Sequence, residues 1–282
     1  MNRGDLTINI KGELMDFAVP KVMAIINVTP DSFFSGSRTS TSDDIRRRVA
    51  TVREEGADIL DIGGYSSRPG AAEVSPEEEY SRLARGMEVI RREWEDAVVS
   101  IDTFRSSVAR RCIEEWGAAI INDISGGTLD PEMWEMAGSL KPVYVLMHMR
   151  GNPTTMQTMT DYDDVTAEVI TDLSRKCYEL RGLGVNDIII DPGFGFAKTT
   201  DQNFRLLNEL GEFCKMGMPV LAGVSRKSMI WKTLGITPED SLSGTIALDA
   251  IALDRGADMI RVHDVKAAVE TVKLCLKLRT DS

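Results

Sequence analysis

Eight short apolar runs recur along the chain, and a charged, helix-like stretch follows each of them. That alternation, the count of eight and a length of 282 residues predict an α/β fold, a closed (β/α)8 barrel of the TIM type with an N-terminal β-hairpin. Five or six units would point to an open doubly wound sheet; eight point to closure. No low-complexity segment or linker divides the chain, so residues 1–282 are expected to form one domain.

The runs are VMAIIN 22–27, DILDIG 58–63, AVVSID 97–102, AAIIND 118–123, VYVLMH 143–148, DIIIDP 187–192, PVLAGV 219–224 and DMIRVH 258–263. The helical pattern predicts helices over 43–55, with Ser42 as N-cap, and over 76–94, with Ser75 capping and Pro76 at the first helical position. Further helices are predicted over 104–116, 131–137, 162–183, 202–216, 242–255 and 266–278. Glycines such as Gly56, Gly117, Gly184 and Gly256 stand just before the next run and suit left-handed helix ends. Ahead of the first run, LTINIKGELMDF 6–17 alternates around Lys11-Gly12 and predicts a hairpin that caps the barrel's bottom.

Composition narrows the function. The net charge is −11, with no basic stripe, which argues against nonspecific nucleic-acid binding. No apolar run reaches the ~20 residues that span a bilayer, and residues 1–11 carry no signal-peptide core. The four cysteines form no C-x-x-C pair, which fits reduced thiols in a cytoplasm. Phosphate-loop, dinucleotide, zincin and nucleophile-elbow motifs are absent from the sequence.

In such a barrel the active site lies at the C-terminal ends of the strands. Asn27 ends the first run, and Ser67, Arg68 and Pro69 follow the second. Asp102, Asn122, Met147 with His148, and Asp191 with Phe196 end or follow the next four. Ser225, Arg226 and Lys227 follow the seventh, and Arg261 and His263 end the eighth. Singly, Asn27 and Asn122 suit turn caps, and Asp102 and Asp191 suit helix N-caps. Singly, too, His263 suits a structural role and Lys227 a solvated first turn. On one rim they make a convergent site. Arg68, Lys227 and Arg261, with Asn27 and His263, could hold a polyanion such as pyrophosphate. Asp102, Asp191 and Asn122 could read a heterocycle rich in N–H groups, with Phe196 and Met147 or Met149 packing on its ring. Two distant histidines and scattered cysteines disfavour a tight transition-metal site and leave room for Mg²⁺ shared with a substrate phosphate.

The motifs INVTPDSF 26–33, DIGGYSSRPG 61–70, IDT 101–103, IND 121–123, LMHMRGNPTTMQ 146–157, DPGFGF 191–196, GVSRKSM 223–229 and RVHDV 261–265 resemble, in order, those of the dihydropteroate synthase family. The resemblance runs over about residues 5–278. It implies a (β/α)8 barrel that condenses dihydropterin pyrophosphate with p-aminobenzoate, releasing pyrophosphate, as a homodimer assisted by Mg²⁺. By the same motifs, Asp102, Asn122, Asp191 and Lys227, with Met147, would hold the pterin. Asn27, Ser67, Arg68, Arg261 and His263 would hold the pyrophosphate, Asn27 also touching the metal. Ser67, Pro69, Phe196, Ser225 and Lys227 would border p-aminobenzoate. Lys227, Arg68, Asp191 and Asp102 are then the expected catalytic groups, and Arg226 a surface or supporting charge. Three departures stand out: Tyr65-Ser66-Ser67 for the usual Glu-Ser-Thr, Ser35-Gly36-Ser37 for Asp-Gly-Gly, and Ala197 for a glycine.

Two other readings compete. A methyltetrahydrofolate methyltransferase barrel shares the acidic and amide pterin contacts but has no need of a pyrophosphate grip. A noncatalytic pterin binder would lack some of Arg68, Lys227, Arg261 and His263, and all four are present.

Overall fold

Run by run, the apolar stretches become eight parallel strands of one sheet. The computed structural model describes residues 6–29, 41–65 and 73–279. The hairpin comes first: β1 (Thr7–Ile10) pairs antiparallel with β2 (Glu13–Asp16). The barrel strands are β3 (Lys21–Asn27), β4 (Ile59–Gly63), β5 (Val99–Asp102), β6 (Ile120–Asp123), β7 (Val143–Met147), β8 (Ile188–Asp191), β9 (Leu221–Ala222) and β10 (Met259–Val262). Their order is β8-β7-β6-β5-β4-β3-β10-β9. A single bridge, Ile190 to Val220, closes the ring, and the Ile190 N–H donates to the Pro219 carbonyl at 2.9 Å.

The seventh strand is shorter than the run that predicted it. Pro219 has no N–H to donate, and Val224 already turns the chain, its carbonyl accepting from Lys227 N–H at 3.1 Å.

Helices α1 (Ser42–Glu55), α2 (Pro76–Glu93), α3 (Ser106–Trp116), α4 (Met133–Leu140), α5 (Val165–Gly182), α6 (Thr200–Asn208), α7 (Leu210–Cys214), α8 (Ser228–Leu234), α9 (Leu242–Asp254) and α10 (Val265–Arg279) follow the strands. Ser75 caps α2 as expected. Helix α1 differs: its cap is Thr41, not Ser42. The Thr41 hydroxyl accepts from Asp44 N–H while the Asp44 carboxylate takes Thr41 N–H, a capping box that draws Ser42 into the helix. Helix α3 starts two residues late because Arg105 stays extended to reach Glu79. The Asp164 carboxylate caps Thr166 and Ala167 and so delays α5 to Val165. The stretch 202–216 breaks at Glu209 into α6 and α7, and α8 was not expected. Gly56 and Gly117 close α1 and α3 at φ 92° and 65°, the left-handed ends the sequence suggested.

Strand residues alternate sides, so the apolar core has two layers. Outward residues such as Ala24, Ile62 and Ile101 pack under the helices with Val49, Leu83 and Cys112. Inward residues Met23, Ile59, Ile120, Val145, Ile189, Leu221 and Met259 fill the lower lumen, and Ile8 and Phe17 of the hairpin segment complete that plug. Phe17 is buried to 1% exposure. Phe17→Ala is therefore expected to cost about 3–5 kcal/mol in urea unfolding, as large core truncations do; a loss under about 1 kcal/mol would show that the hairpin does not stabilise the barrel floor.

Candidate active site

One step up the lumen the inward positions change character. On β4, Ile59 gives way to Asp61 and Gly63; on β6, Ile120 to Asn122; on β8, Ile189 to Asp191; on β10, Met259 to Arg261. Register brings these side chains together: Gly63 lies opposite Asp102, Asp102 opposite Asn122, and Met147 opposite Asp191.

Arg261 is the hub. Its Nε donates to Asp61 Oδ2 at 2.6 Å and its terminal NH2 group to Asp102 Oδ2 at 2.7 Å. Asn122 Nδ2 donates to the same Asp61 Oδ2 at 3.1 Å. Asp61 is fully buried, whereas the Asp102 and Arg261 side chains keep 22% and 20% of their surface open. Burial lifts the Asp102 carboxyl to about 7, with Arg261 pulling down against it and Asp61 pushing up. The Arg261 guanidinium is held charged by Asp61 and Asp102 against the pull of burial.

Lys227 enters from the loop between β9 and α8. Its Nζ donates to the Phe194 carbonyl and sits 4.9 Å from the Phe196 ring centroid. Burial lowers it to about 8, and Asp191 offsets part of that. Asp191 is itself raised by burial and steadied by Lys227 and by Gly193 N–H at 2.7 Å. Gly193 carries a φ of 74°, and a Cβ there would stand 2.0 Å from the His148 carbonyl oxygen, so only glycine fits.

Burial, then Arg261, Arg226, Arg48 and Lys227, depress His263 to about 3. It is a neutral imidazole near pH 7, a donor or acceptor beside the cation Arg261. Its Nδ1 lies 3.0 Å from Ser225 Oγ, which also accepts the His263 backbone N–H at 3.2 Å. The residue expected beside p-aminobenzoate is thus tied to one expected beside pyrophosphate. Asn27 ends β3, half-buried and opposite Gly63.

Met147 lies in an apolar cluster at the lumen's mouth with Ile124, Met149, Met156 and Ala197, against which Phe104 and Phe196 pack. Asp102, Asn122, Asp191, Lys227, Arg261 and Met147 converge; Ser225, His263, Phe196 and Asn27 border them. Ser67, Arg68 and Pro69, like Ser35 to Ser37, lie outside the described residues.

Two supporting residues escaped the sequence reading, and a third, Arg226, has the supporting place expected of it. Asp61 was legible in principle, as a carboxylate two positions below Gly63 on the inward face of an apolar strand. Lys198 is 6% exposed, and its Nζ meets His148 Nδ1 at 3.1 Å and the Gly193 and Phe196 carbonyls at 3.0 Å each. Three acceptors suit the three N–H bonds of an ammonium, although burial pulls Lys198 down to about 7. Arg226 supports from behind. It sits at φ 55°, pairs with Asp264 through two contacts of 2.8 and 2.9 Å, and donates to the Pro238 and Glu239 carbonyls. The alanine that replaces a glycine, Ala197, is left-handed at φ 49° and fully buried, a conformation that costs a residue with a Cβ about 1–2 kcal/mol.

A barrel whose mouth gathers carboxylates, an amide and cations around an apolar slot defines a class of enzymes that bind a polar heterocycle beside an anion. The profile of the family described as pterin-binding enzymes matches residues 23–263, and the chain belongs to that family. It is 44% identical over 256 residues to a dihydropteroate synthase of Synechocystis, covering 90% of this chain and 88% of the relative. A Yersinia pestis dihydropteroate synthase in complex with a sulfonamide drug superposes with a TM-score of 0.92 at 36% identity, covering 98% of this chain and 100% of that one. A Xanthomonas albilineans dihydropteroate synthase with 4-aminobenzoic acid gives a TM-score of 0.84 at 38% identity, covering 97% and 98%.

His148 supplies a test of these electrostatics. Burial, then Lys198, Lys176 and Arg150, push it from 6.5 to about 2. Below about pH 6.5 the unfolded chain gains a proton that the folded chain refuses, so stability falls as pH falls. Between about pH 7 and 5 this group alone should cost about 2 kcal/mol. Urea unfolding at both pH values should show His148→Gln losing less stability than the native chain by about that amount; equal losses would place His148 in a less hostile setting.

Proposed function

We propose that this chain is a dihydropteroate synthase, condensing 6-hydroxymethyl-7,8-dihydropterin pyrophosphate with p-aminobenzoate to give 7,8-dihydropteroate and pyrophosphate. The observation that carries the reading is the meeting, at one lumen mouth, of Asp102, Asn122, Asp191, Lys227 and Arg261 from separate strands and loops.

The pterin ring presents several N–H groups, and Asp102, Asp191 and the Asn122 amide oxygen are acceptors of matching polarity. The methylene C–O bond breaks with its electron pair leaving on pyrophosphate, next to Arg261 and the neutral His263. The positive charge left on the pterin is stabilised by Asp102 and Asp191 in a site with little water. The arylamine, lying against Phe196 and Lys227, forms the C–N bond and then loses a proton, so orientation supplies much of the rate. No side chain is needed as a nucleophile. Ser67, Arg68 and Pro69 take their roles, in the p-aminobenzoate and pyrophosphate subsites, from the loop motif alone.

The family resemblance also implies Mg²⁺. Asn27, half-buried at the end of β3, would offer it an amide oxygen, a hard donor of the kind such a cation takes. Bound there, it would neutralise charge on the leaving group.

A homodimer is supported by exposed apolar side chains on three neighbouring helices: Leu234 on α8, Leu242, Ile246 and Ile251 on α9, Leu274 and Leu278 on α10. A cytoplasmic setting is supported by cysteines that are scattered along the chain with no C-x-x-C pair, and no described helix is long and apolar enough to cross a membrane.

Two measurements test the reading. Pyrophosphate release from the pterin substrate with Mg²⁺ should require p-aminobenzoate and yield dihydropteroate. Lys227→Ala should lower kcat/KM at least about 10²-fold, the scale of losing one charge-stabilising donor; substrate binding without turnover in either protein would favour a noncatalytic pterin binder. Light scattering should return twice the chain mass, and Leu274→Glu should shift it to one chain; a native protein at one chain mass removes the dimer.

A further inference from the structure

Asp61 has no place in the reaction just described, yet it touches two residues that do. Its Oδ2 accepts from Asn122 Nδ2 and from Arg261 Nε, while Oδ1 has no hydrogen-bond partner among the described residues. It is completely buried and faces inward on β4, one layer beneath Asp102. Below it stand apolar side chains such as Ile59 and Ile120.

A carboxylate can only accept. Placed under Asn122, it forces the amide to turn its NH2 group down, which leaves the amide oxygen for the pocket. Placed beside Arg261, it fixes the guanidinium through Nε and leaves the terminal nitrogen now on Asp102 to exchange that carboxylate for an incoming anion. An aspartate at 122 would meet Asp61 as a like charge, and a residue at 61 without an oxygen would release both partners.

We infer that Asp61 is a positioning residue that sets the polarity of the site, presenting the Asn122 amide as an acceptor toward the heterocycle and anchoring Arg261 for the leaving group. The two ligand subsites are thereby joined through one oxygen atom. Heterocycle N–H groups arriving at Asp102 compete with the Arg261 terminal nitrogen there, and Asp61 keeps hold of Nε while that nitrogen turns to the pyrophosphate.

The series Asp61→Asn and Asp61→Leu tests this. Asparagine keeps one acceptor oxygen and loses the charge; leucine keeps the branched shape and loses both, in a lumen already apolar below. Binding is measured by calorimetry with two separate probes, 6-hydroxymethylpterin without phosphates, and inorganic pyrophosphate with excess Mg²⁺. Affinity for both should fall in the order native, Asn, Leu, by about threefold or more for Asn and at least about tenfold for Leu, the scale of a lost hydrogen bond to a charged group. Steady-state kinetics of Asp61→Asn should show KM for the pterin substrate rising while KM for p-aminobenzoate, at saturating pterin substrate, stays within about twofold. A residue that merely held the barrel together would move the melting temperature and every kinetic constant alike. Native affinity for both probes in Asp61→Leu overturns the inference, as does a loss for one probe only. If Asp61→Leu does not fold, unchanged affinities in Asp61→Asn overturn it equally.

Discussion

The inside of an eight-stranded barrel is wide enough for side chains and little else. Every inward residue therefore meets its neighbours across the axis. This chain changes polarity in a single step: Ile59 to Asp61, Ile120 to Asn122, Ile189 to Asp191, Met259 to Arg261. Below the step, the plug and the hairpin residues Ile8 and Phe17 exclude water from one end. Above it, every polar group has the same mouth to face. The site's location follows from that step more than from any one residue.

Ionisable groups so close to a dry plug persist only in company. Asp61, Asp102 and Asp191 are met by Arg261 and Lys227, and the mismatch in number shows in Asp102, which burial raises to about 7. The loops that carry these groups are pinned from outside the lumen. Lys198 clamps the turn after β8 through two carbonyls, Arg226 fastens the turn after β9 to Asp264, and Arg48 reaches from α1 to the His263 carbonyl. Buried cations thus serve two ends here, ligand contact in the lumen and loop anchorage behind it.

The barrel was legible because its strands are apolar on both faces and its helices are amphipathic, and both signals are local. Helix starts were less so. Thr41, Arg105 and Asp164 decide where α1, α3 and α5 begin, and only the partners they reach reveal it. Helix α8, seven residues long, carries too little periodicity to stand out. Among site residues, those at strand ends were found because loop chemistry is conspicuous in sequence. Asp61 was not, because a carboxylate inside an apolar run reads as an interruption until the register shows Asn122 and Arg261 around it. The neutrality of His263 was equally hidden, since it depends on burial and on Arg226, Arg48 and Lys227, distant in sequence and brought by folding to the same side chain as its neighbour Arg261.

The sheet is not equally firm around its circumference. From β10 through β3 to β8 each neighbour is joined by three to five registered pairs, whereas β9 has two with β10 and a single bridge to β8. Mechanically the barrel is a split ring with its gap beside β9. Asp61, Asp102 and Asn122 sit on the stiff arc opposite. Asp191 stands on one lip of the gap, and Lys227 hangs from the loop on the other. The spacing between that carboxylate and that ammonium therefore rests on the fewest strand pairings in the ring, while Asp61, Asp102 and Asn122 are set by the ladders of β4, β5 and β6.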